Sequence, residues 1–347
     1  MNTNNLKKAL KMLRSATEGV TLDDRALYIE FAGPQIKLAV CTDTARGKVS
    51  LDVDDVGYGN CYVDIDSLLK ILNSCNTSEI KLKLEANKEG QPHLQVKYAR
   101  SRFKVTTFEH TFAKFTAEFK KEKEIVPKNL VATLRQVATF CNPNSLMENL
   151  RGVYANGKLV FVGDTTKILI YKENQFKDDY FIYYPMIRFL DQIDTTAMLS
   201  VNDNFVRVRN DNFEFAFDIN RTIQAPNATR FLEMKASDAS ILPFEALKEL
   251  SSSLSIMNPD RVLIAAKEGT LGFTAQDTKS QFDTSIDSKF KKDFSFPVDT
   301  KSLRESIKVM SMDEQQEVKM EVFGIPDIQF FRLTSGNLVQ ILSVAID

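Results

Sequence analysis

FVGDTTKILI, residues 161–170, is an apolar run broken by Gly163 and the pair Asp164-Thr165 and then resumed. Two other stretches share its form, AVCTDTAR at 39–46 and FTAQDTKS at 273–280. Each sets an Asp-Thr pair at the end of a strand-like run, and Asp43, Asp164 and Asp277 are 121 and 113 residues apart. A third of the 347-residue chain is about 116, so the spacing is a period, which marks one structural unit used three times. An aspartate recurring once per unit is read as a turn former, its side chain bonding its own turn.

Laid out in thirds, the chain repeats one order of elements. Helical periodicity opens each third, at 4–17, 128–141 and 243–257. Short β-rich runs follow: ALYIEF and KLAV, LVFV and KILIY, RVLIAA and LGFTA. A second helical segment comes next, at 64–75, 184–193 and 299–310, the first and third opening on capping residues. Alternating strands close each unit: IKLKLE, HLQVKYA and FKVTTF; AMLSV, FVRVR and FEFAF; VKMEV, IQFFRL and LVQILSVAI. Strands that alternate leave one face to be covered, so two helices against antiparallel sheets make an α+β unit. Charged AEFKKEKEIVP (117–127) and APNATRFLEMKASD (225–238) read as boundaries, giving domains at 1–118, 119–233 and 234–347.

Composition excludes several classes. No stretch of about 18 apolar residues occurs and MNTNNLKKAL has no apolar signal core, so a cytoplasmic protein is expected. Cys41, Cys61, Cys75 and Cys141 show no paired spacing and are expected to be reduced, mostly buried thiols. His93 and His110 lack a second His or Cys at ligand spacing, so no metal site is expected. No nucleotide-binding glycine loop, nucleophile elbow or zinc-protease motif is present. Asp-rich LDVDDVG at 51–57 lacks the remaining positions of a calcium loop and reads as a connection between strands. No enzyme and no cofactor are expected.

Charge is distributed unevenly within a net of −1. On the first helix Leu6, Ala9, Leu10, Met12, Leu13 and Ala16 share one arc, and Lys7, Lys8, Lys11, Arg14 and Ser15 take the other. In the helix at 128–141 Leu130, Leu134, Val137 and Phe140 face one way, Arg135, Gln136 and Thr139 the other. The six windows 4–17, 64–76, 128–142, 183–194, 243–258 and 299–312 hold 12 Lys/Arg against 8 Asp/Glu, so the helices are net basic and the rest net acidic. With no groove-reading motif, such a face fits phosphate contact without sequence readout.

Four segments, in order along the chain, carry a resemblance to a known family. RSRFKVTTF (100–108) is similar to RSRFSLSTL, LRGVY (150–154) to LNGML, VGDTTKILI (162–170) to ATDGHRLAV, and APNATRFL (225–232) to FPDYRRVLP, all segments of the bacterial-type DNA sliding clamp, the beta subunit of replicative DNA polymerase III. The resemblance implies three similar clamp domains and a head-to-tail ring of two protomers. That ring would encircle double-stranded DNA without regard to sequence and tether the polymerase and the clamp loader through short linear peptides. The peptide pocket it implies comprises Leu150, Gly163, Thr165, Thr166, Lys167, Ile168, Pro226, Phe231, Val344 and Ala345. DNA-facing cations would be Lys7, Lys11, Arg14, Lys70, Arg135, Arg188, Lys301, Arg304 and Lys308. Ring closure would set Phe103 and Val105 against Ile256 and Met257 of the other protomer.

This chain departs from the family where Asp-Gly-His-Arg-Leu becomes Asp164-Thr165-Thr166-Lys167-Ile168, where Met-Pro-Met becomes Ser343-Val344-Ala345, and where only MNTNN precedes Leu6. Helix spacing supports a dimer independently: six helices about 8–10 Å apart close a circle too narrow for a duplex, whereas twelve leave a hole of roughly 20–28 Å. The competing reading is a clamp-like repeat scaffold that binds protein partners without encircling DNA.

Overall fold

The computed structural model describes residues 1–17, 25–42, 44–54, 56–87, 89–112, 123–125, 130–142, 145–156, 159–163, 166–172, 179–190, 192–193, 197–201, 205–220, 227–276, 280–311, 316–325 and 327–344. Asp43, Asp164 and Asp277, with Thr165, Pro226 and Ala345, lie outside the described residues.

Asn2 accepts the N–H groups of Asn4 and Asn5 and starts α1 (Thr3–Ala16), whose Leu6, Leu10 and Leu13 are fully buried. Strands β1 (Ala26–Ala32), β2 (Gln35–Cys41), β3 (Ala45–Asp52) and β4 (Tyr58–Asp64) lead to α2 (Ile65–Asn73), capped by Asp64 through the Ser67 N–H at 2.6 Å. Then come β5 (Lys81–Ala86), β6 (Pro92–Tyr98), β7 (Ser101–Phe108) and β8 (Lys123–Ile125). The charged run at 117–127, read as a domain boundary, contains this short strand.

The middle of the chain contains α3 (Leu130–Ala138), a 3₁₀ turn at Glu148–Leu150, β9 (Gly152–Asn156), β10 (Leu159–Gly163), β11 (Lys167–Tyr171), β12 (Tyr180–Tyr183), α4 (Tyr184–Leu190), β13 (Met198–Val201), β14 (Phe205–Arg209) and β15 (Phe213–Asn220). The last part holds α5 (Ala228–Glu233), β16 (Asp238–Pro243), α6 (Phe244–Met257), β17 (Arg261–Lys267), β18 (Thr270–Gln276), β19 (Gln281–Asp287), β20 (Phe294–Asp299), α7 (Thr300–Met310), β21 (Glu317–Phe323), β22 (Phe330–Ser335) and β23 (Leu338–Ser343). Asp299 caps α7 as Asp64 caps α2, through the Ser302 N–H at 2.6 Å. The second boundary segment forms the short α5.

The chain forms two compact units, residues 1–131 with 182–220, and 132–181 with 221–347. In the first, β4–β1–β2–β3–β15–β14–β13–β8 is one antiparallel succession, and β7 leaves β4 at Thr107 and Phe108 to join β6 and β5. Helix α1 packs on β2 and β3 and against both α2 and α4. In the second, β9–β10–β11–β23–β22–β21–β16 is one antiparallel sheet and β19–β18–β17–β20 another. Here α6 lies beside α7, and α3 meets α7 where the Gln136 side chain donates to the Val309 carbonyl at 3.2 Å.

The repeat is visible in register. Cα partners Cys41 and Arg46, Gly163 and Ile168, and Gln276 and Gln281 close three hairpins that each enclose four residues. The aspartate stands second of the four in the first hairpin and first in the others, so the unit is offset by one residue from the count made on Asp43.

Two helix faces differ from their sequence reading. Ser15, placed on the polar arc of α1, is buried and donates to the Met12 carbonyl at 2.7 Å. Gln136, placed on the polar face of α3, is buried by its bond to Val309. Both are polar groups whose burial a hydrogen bond makes tolerable.

Candidate functional site

Four of the implied pocket positions converge around the β10–β11 turn. Gly163 pairs with Ile168, Ile168 with Ile341 and Lys167 with Leu342, while the Thr166 carbonyl accepts the Ser343 N–H at 2.8 Å. Gly163 is required by close approach: a Cβ there would stand 2.7 Å from both the Ile168 Cα and the Lys167 carbonyl oxygen. Leu150 is buried in the 3₁₀ turn that packs on β9 and β10. Lys167 reaches sideways, its Nζ 2.6 Å from a Glu305 carboxylate oxygen and 4.6 Å above the Phe140 ring.

Phe231 joins the same cluster through β22. Its ring meets Phe330 edge-on at 6.1 Å, and Phe330 is the register partner of Ser343. Arg332 holds it there, donating to the Phe231 and Leu232 carbonyls at 2.6 and 3.1 Å and to Glu321 at 2.8 Å. Burial pushes the Glu321 carboxyl up, but hydrogen bonds from Arg332 and Lys319 outweigh it and hold the group below the usual carboxylate range. Val344, half-buried, donates its N–H to the Gln329 carbonyl at 2.9 Å. Leu146 and Met147, beside the 3₁₀ turn, are exposed apolar residues that sequence reasoning missed. Their signal was an apolar pair inside a polar connection.

Some of the expected DNA-facing cations are engaged within the protomer. Arg14 is engaged by Asp66, Nε to Oδ1 at 2.7 Å, and Lys7 donates to the Cys75 carbonyl at 3.1 Å. Lys11 and Lys70 are exposed without such a bond among the described residues. Arg135 and Arg188 are exposed on α3 and α4. A cleft of about 670 Å³ between α6 and α7 is lined by Lys248, Lys301, Arg304 and Lys308 together with Glu305. Arg304 donates to the Asn258 side chain at 3.2 Å. Among the described residues no group of three or more metal-ligating side chains occurs, and no helix is long and apolar enough to cross a membrane. None of the four cysteines is in a disulfide, and burial pushes the Cys61 thiol up to about 11 and Cys75 and Cys141 upward as well, so these three are not ready nucleophiles.

Strand edges complete the picture. β3 pairs with both β2 and β15, and β11 with both β10 and β23. Their counterpart β19 pairs only with β18 among the described residues, and β7, the counterpart of β15 and β23, pairs only with β6 over Ser101–Thr106. Phe103 stacks on Tyr98 at 5.7 Å and Val105 is buried on the inner face of its own sheet, so what β7 leaves open is its backbone edge. Ile256 on α6 is 86% exposed, although Ser15, at the same distance from the N-cap in α1, is buried.

No protein-family model and no curated protein matches the sequence. Solved structures do. The DNA polymerase III beta subunit of Thermotoga maritima aligns with a TM-score of 0.81 at 13% identity, over 100% of this chain and 98% of that one. The DNA polymerase sliding clamp of Pseudomonas aeruginosa aligns at 0.75 and 12%, over 100% and 99%. The Helicobacter pylori beta clamp, solved bound to a DNA ligase peptide, aligns at 0.75 and 15%, over 100% and 99%. The chain therefore has the sliding-clamp fold along its whole length.

Proposed function

We propose that this protein is a DNA sliding clamp: three clamp domains, 1–118, 119–233 and 234–347, in a protomer that closes head to tail with a second copy around duplex DNA and tethers a replicative polymerase. The observation that carries this is the matched pair of vacant edges. Each internal junction, β3–β15 and β11–β23, joins strands from different thirds of the chain at equivalent register, Arg46 with Ala216 and Ile168 with Ile341. Carrying that register to the remaining edges sets Gln281 of one copy opposite Lys104 of the other, with Phe282 opposite Phe103 and Asp283 opposite Arg102. At the equivalent place in β3–β15, Lys48 faces Glu214. Pairing these edges would also remove two exposed strand templates, and Ile256 and Met257 would be covered by α2 of the second copy as α4 covers α1.

Function then needs no catalytic step. The ring holds DNA topologically, so contacts from Lys11, Lys70, Arg135, Arg188, Lys301, Arg304 and Lys308 are weak, screened and sequence-blind, as sliding requires. A tethered polymerase rebinds the primer end at high effective concentration, which raises processivity. The partner's linear peptide would dock on Leu150, Gly163, Thr165, Thr166, Lys167, Ile168, Pro226, Phe231, Val344 and Ala345, where Thr166, Lys167 and Ile168 alter the family's chemistry. The test is retention on nicked circular DNA followed by linearisation. Release from the linear ends is expected; a protein that stays bound, or never binds circles while still capturing peptides, is the scaffold instead.

A further inference from the structure

A third strand edge is open, on the side of the sheet that ring closure does not use. In two units the strand before the first helix covers the edge of the sheet: β8 on β13 and β16 on β21. Among the described residues the same edge of β5 meets Met1 and Asn2. Asn2 bridges Glu79 as Pro243, likewise the N-cap residue, pairs with Glu317, and Met1 exchanges both backbone bonds with Ile80 at 3.2 and 3.0 Å. Opposite Lys81 to Leu84 no strand pairs among the described residues, although the equivalent positions of β21 carry Ile241, Ser240, Ala239 and Asp238. Because Ile80 bonds outward and strand groups alternate, the N–H and C=O of Leu82 and Leu84 point to this edge.

Charge identifies what fits there. Lys81 pairs with Lys97 and Lys97 with Arg102, so one row across β5, β6 and β7 carries three cations where opposed like charges repel. The next row starts with Lys83, exposed and 3.2 Å from Glu85, a half-buried carboxylate that Gln95 also holds at 2.6 Å. Beside the edge lies a cleft of about 980 Å³ lined by Lys81, Lys83, Lys97 and Met1, with Asp54 and Glu79 as its carboxylates. Equivalent rows in the other units carry less positive charge, Met198–Arg209–Glu214 with one charge of each sign and Lys319–Thr334–Val339 with a single cation.

We propose that the β5 edge binds an extended acidic segment of a partner protein as an added antiparallel strand, with carboxylates opposite Lys81 and Lys83 and small or apolar residues opposite Leu82 and Leu84. The bound segment would run toward Met1, as β16 runs toward α6. This surface is separate from the β10–β11 cluster and does not depend on ring closure.

The test uses a labelled peptide of sequence SVEIES, read by anisotropy on the full-length protein without DNA, with hydrogen exchange followed at the Leu82 and Leu84 amides. Expected are saturable binding, slowed exchange at both amides, at least about tenfold weaker binding by the K81E/K83E variant, and none by the peptide SVKIKS. The lysines are exposed, so the variant's thermal melt serves to verify an intact fold. Absence of saturation at about 1 mM peptide overturns the proposal. So does binding unchanged in K81E/K83E, or binding that polyglutamate and heparin abolish equally without any change in exchange at Leu82 and Leu84, which would mean bare charge attraction.

Discussion

Replacing Arg102 by Glu tests ring closure at its most specific point. In the register above, Arg102 of one copy lies opposite Asp283 of the next. An opposed charge pair contributes about 0.2–1 kcal/mol across strands and a like pair costs a similar amount, so reversal changes each interface by about 0.5–2 kcal/mol. Both side chains are exposed, which favours the lower part of that range, about 1 kcal/mol. A two-fold ring closes through two identical interfaces, so the dimer loses about 2 kcal/mol and its dissociation constant rises roughly 30-fold. Sedimentation equilibrium over a concentration series reads this directly. Asp283→Arg should have the same effect, and R102E/D283R should return to within about threefold of the parent. The protomer should not lose stability, because removing the Arg102 cation relieves the Lys97–Arg102 opposition. A single variant with the parent's dissociation constant, or a double variant no tighter than the singles, would refute the register. Phe103→Asp is a poorer probe: with its ring stacked on Tyr98, it would damage domain 1 as well as the interface.

Three further outcomes follow from local geometry. Gly47→Ala would place a Cβ 2.1 Å from the Phe215 ring and should lower stability by about 1–3 kcal/mol in a denaturant titration; an unchanged midpoint would mean that β3 and β15 do not pack this closely. Lys11→Ala should reduce the salt dependence of DNA retention by about one ion's worth, whereas Arg14→Ala should mainly leave Asp66 with the more distant Arg25 at 3.6 Å and lower the melting temperature; the reverse ranking would contradict the ion pair. Glu321 has its folded pKa held below the unfolded value near 4.5, so its contribution is fully present above that pH and is lost as pH falls through the lower folded value. Acid titration of stability should accordingly lose slope in Glu321→Gln, a variant also weaker at neutral pH because Arg332 remains buried; an identical acid slope would exclude this assignment.

Much of the fold was legible because its signals are local. A strand needs alternation and a helix a 3.6-residue stripe, so Leu6, Leu10 and Leu13 marked a buried face, and Asp64 and Asp299 marked helix starts, without knowledge of any neighbour. The candidate site was less legible. Leu150, Gly163, Ile168 and Phe231 were gathered only through family resemblance, and the bonds that hold them, such as Arg332 to the Phe231 carbonyl, span about a hundred positions. Within the charged run at 117–127, read as a boundary, β8 went unseen because charge is the usual mark of a connection, yet an edge strand is made by its backbone and tolerates charged side chains.

By itself the sequence determined the threefold period, the alternation of helices and strands within it, and the absence of motifs for familiar chemistry. Tertiary structure alone decided which groups are available. Arg14 is spent on Asp66, Ser15 and Gln136 are buried, Gly47 lies under Phe215, and among the described residues the outer edges of β5, β7 and β19 have no strand partner over Lys81–Leu84, Ser101–Thr106 and Gln281–Asp287. The physical reason is that a local pattern specifies which face of an element is apolar, whereas a partner's identity depends on register between segments far apart in the chain. That register sums many weak backbone and packing terms that no short stretch contains.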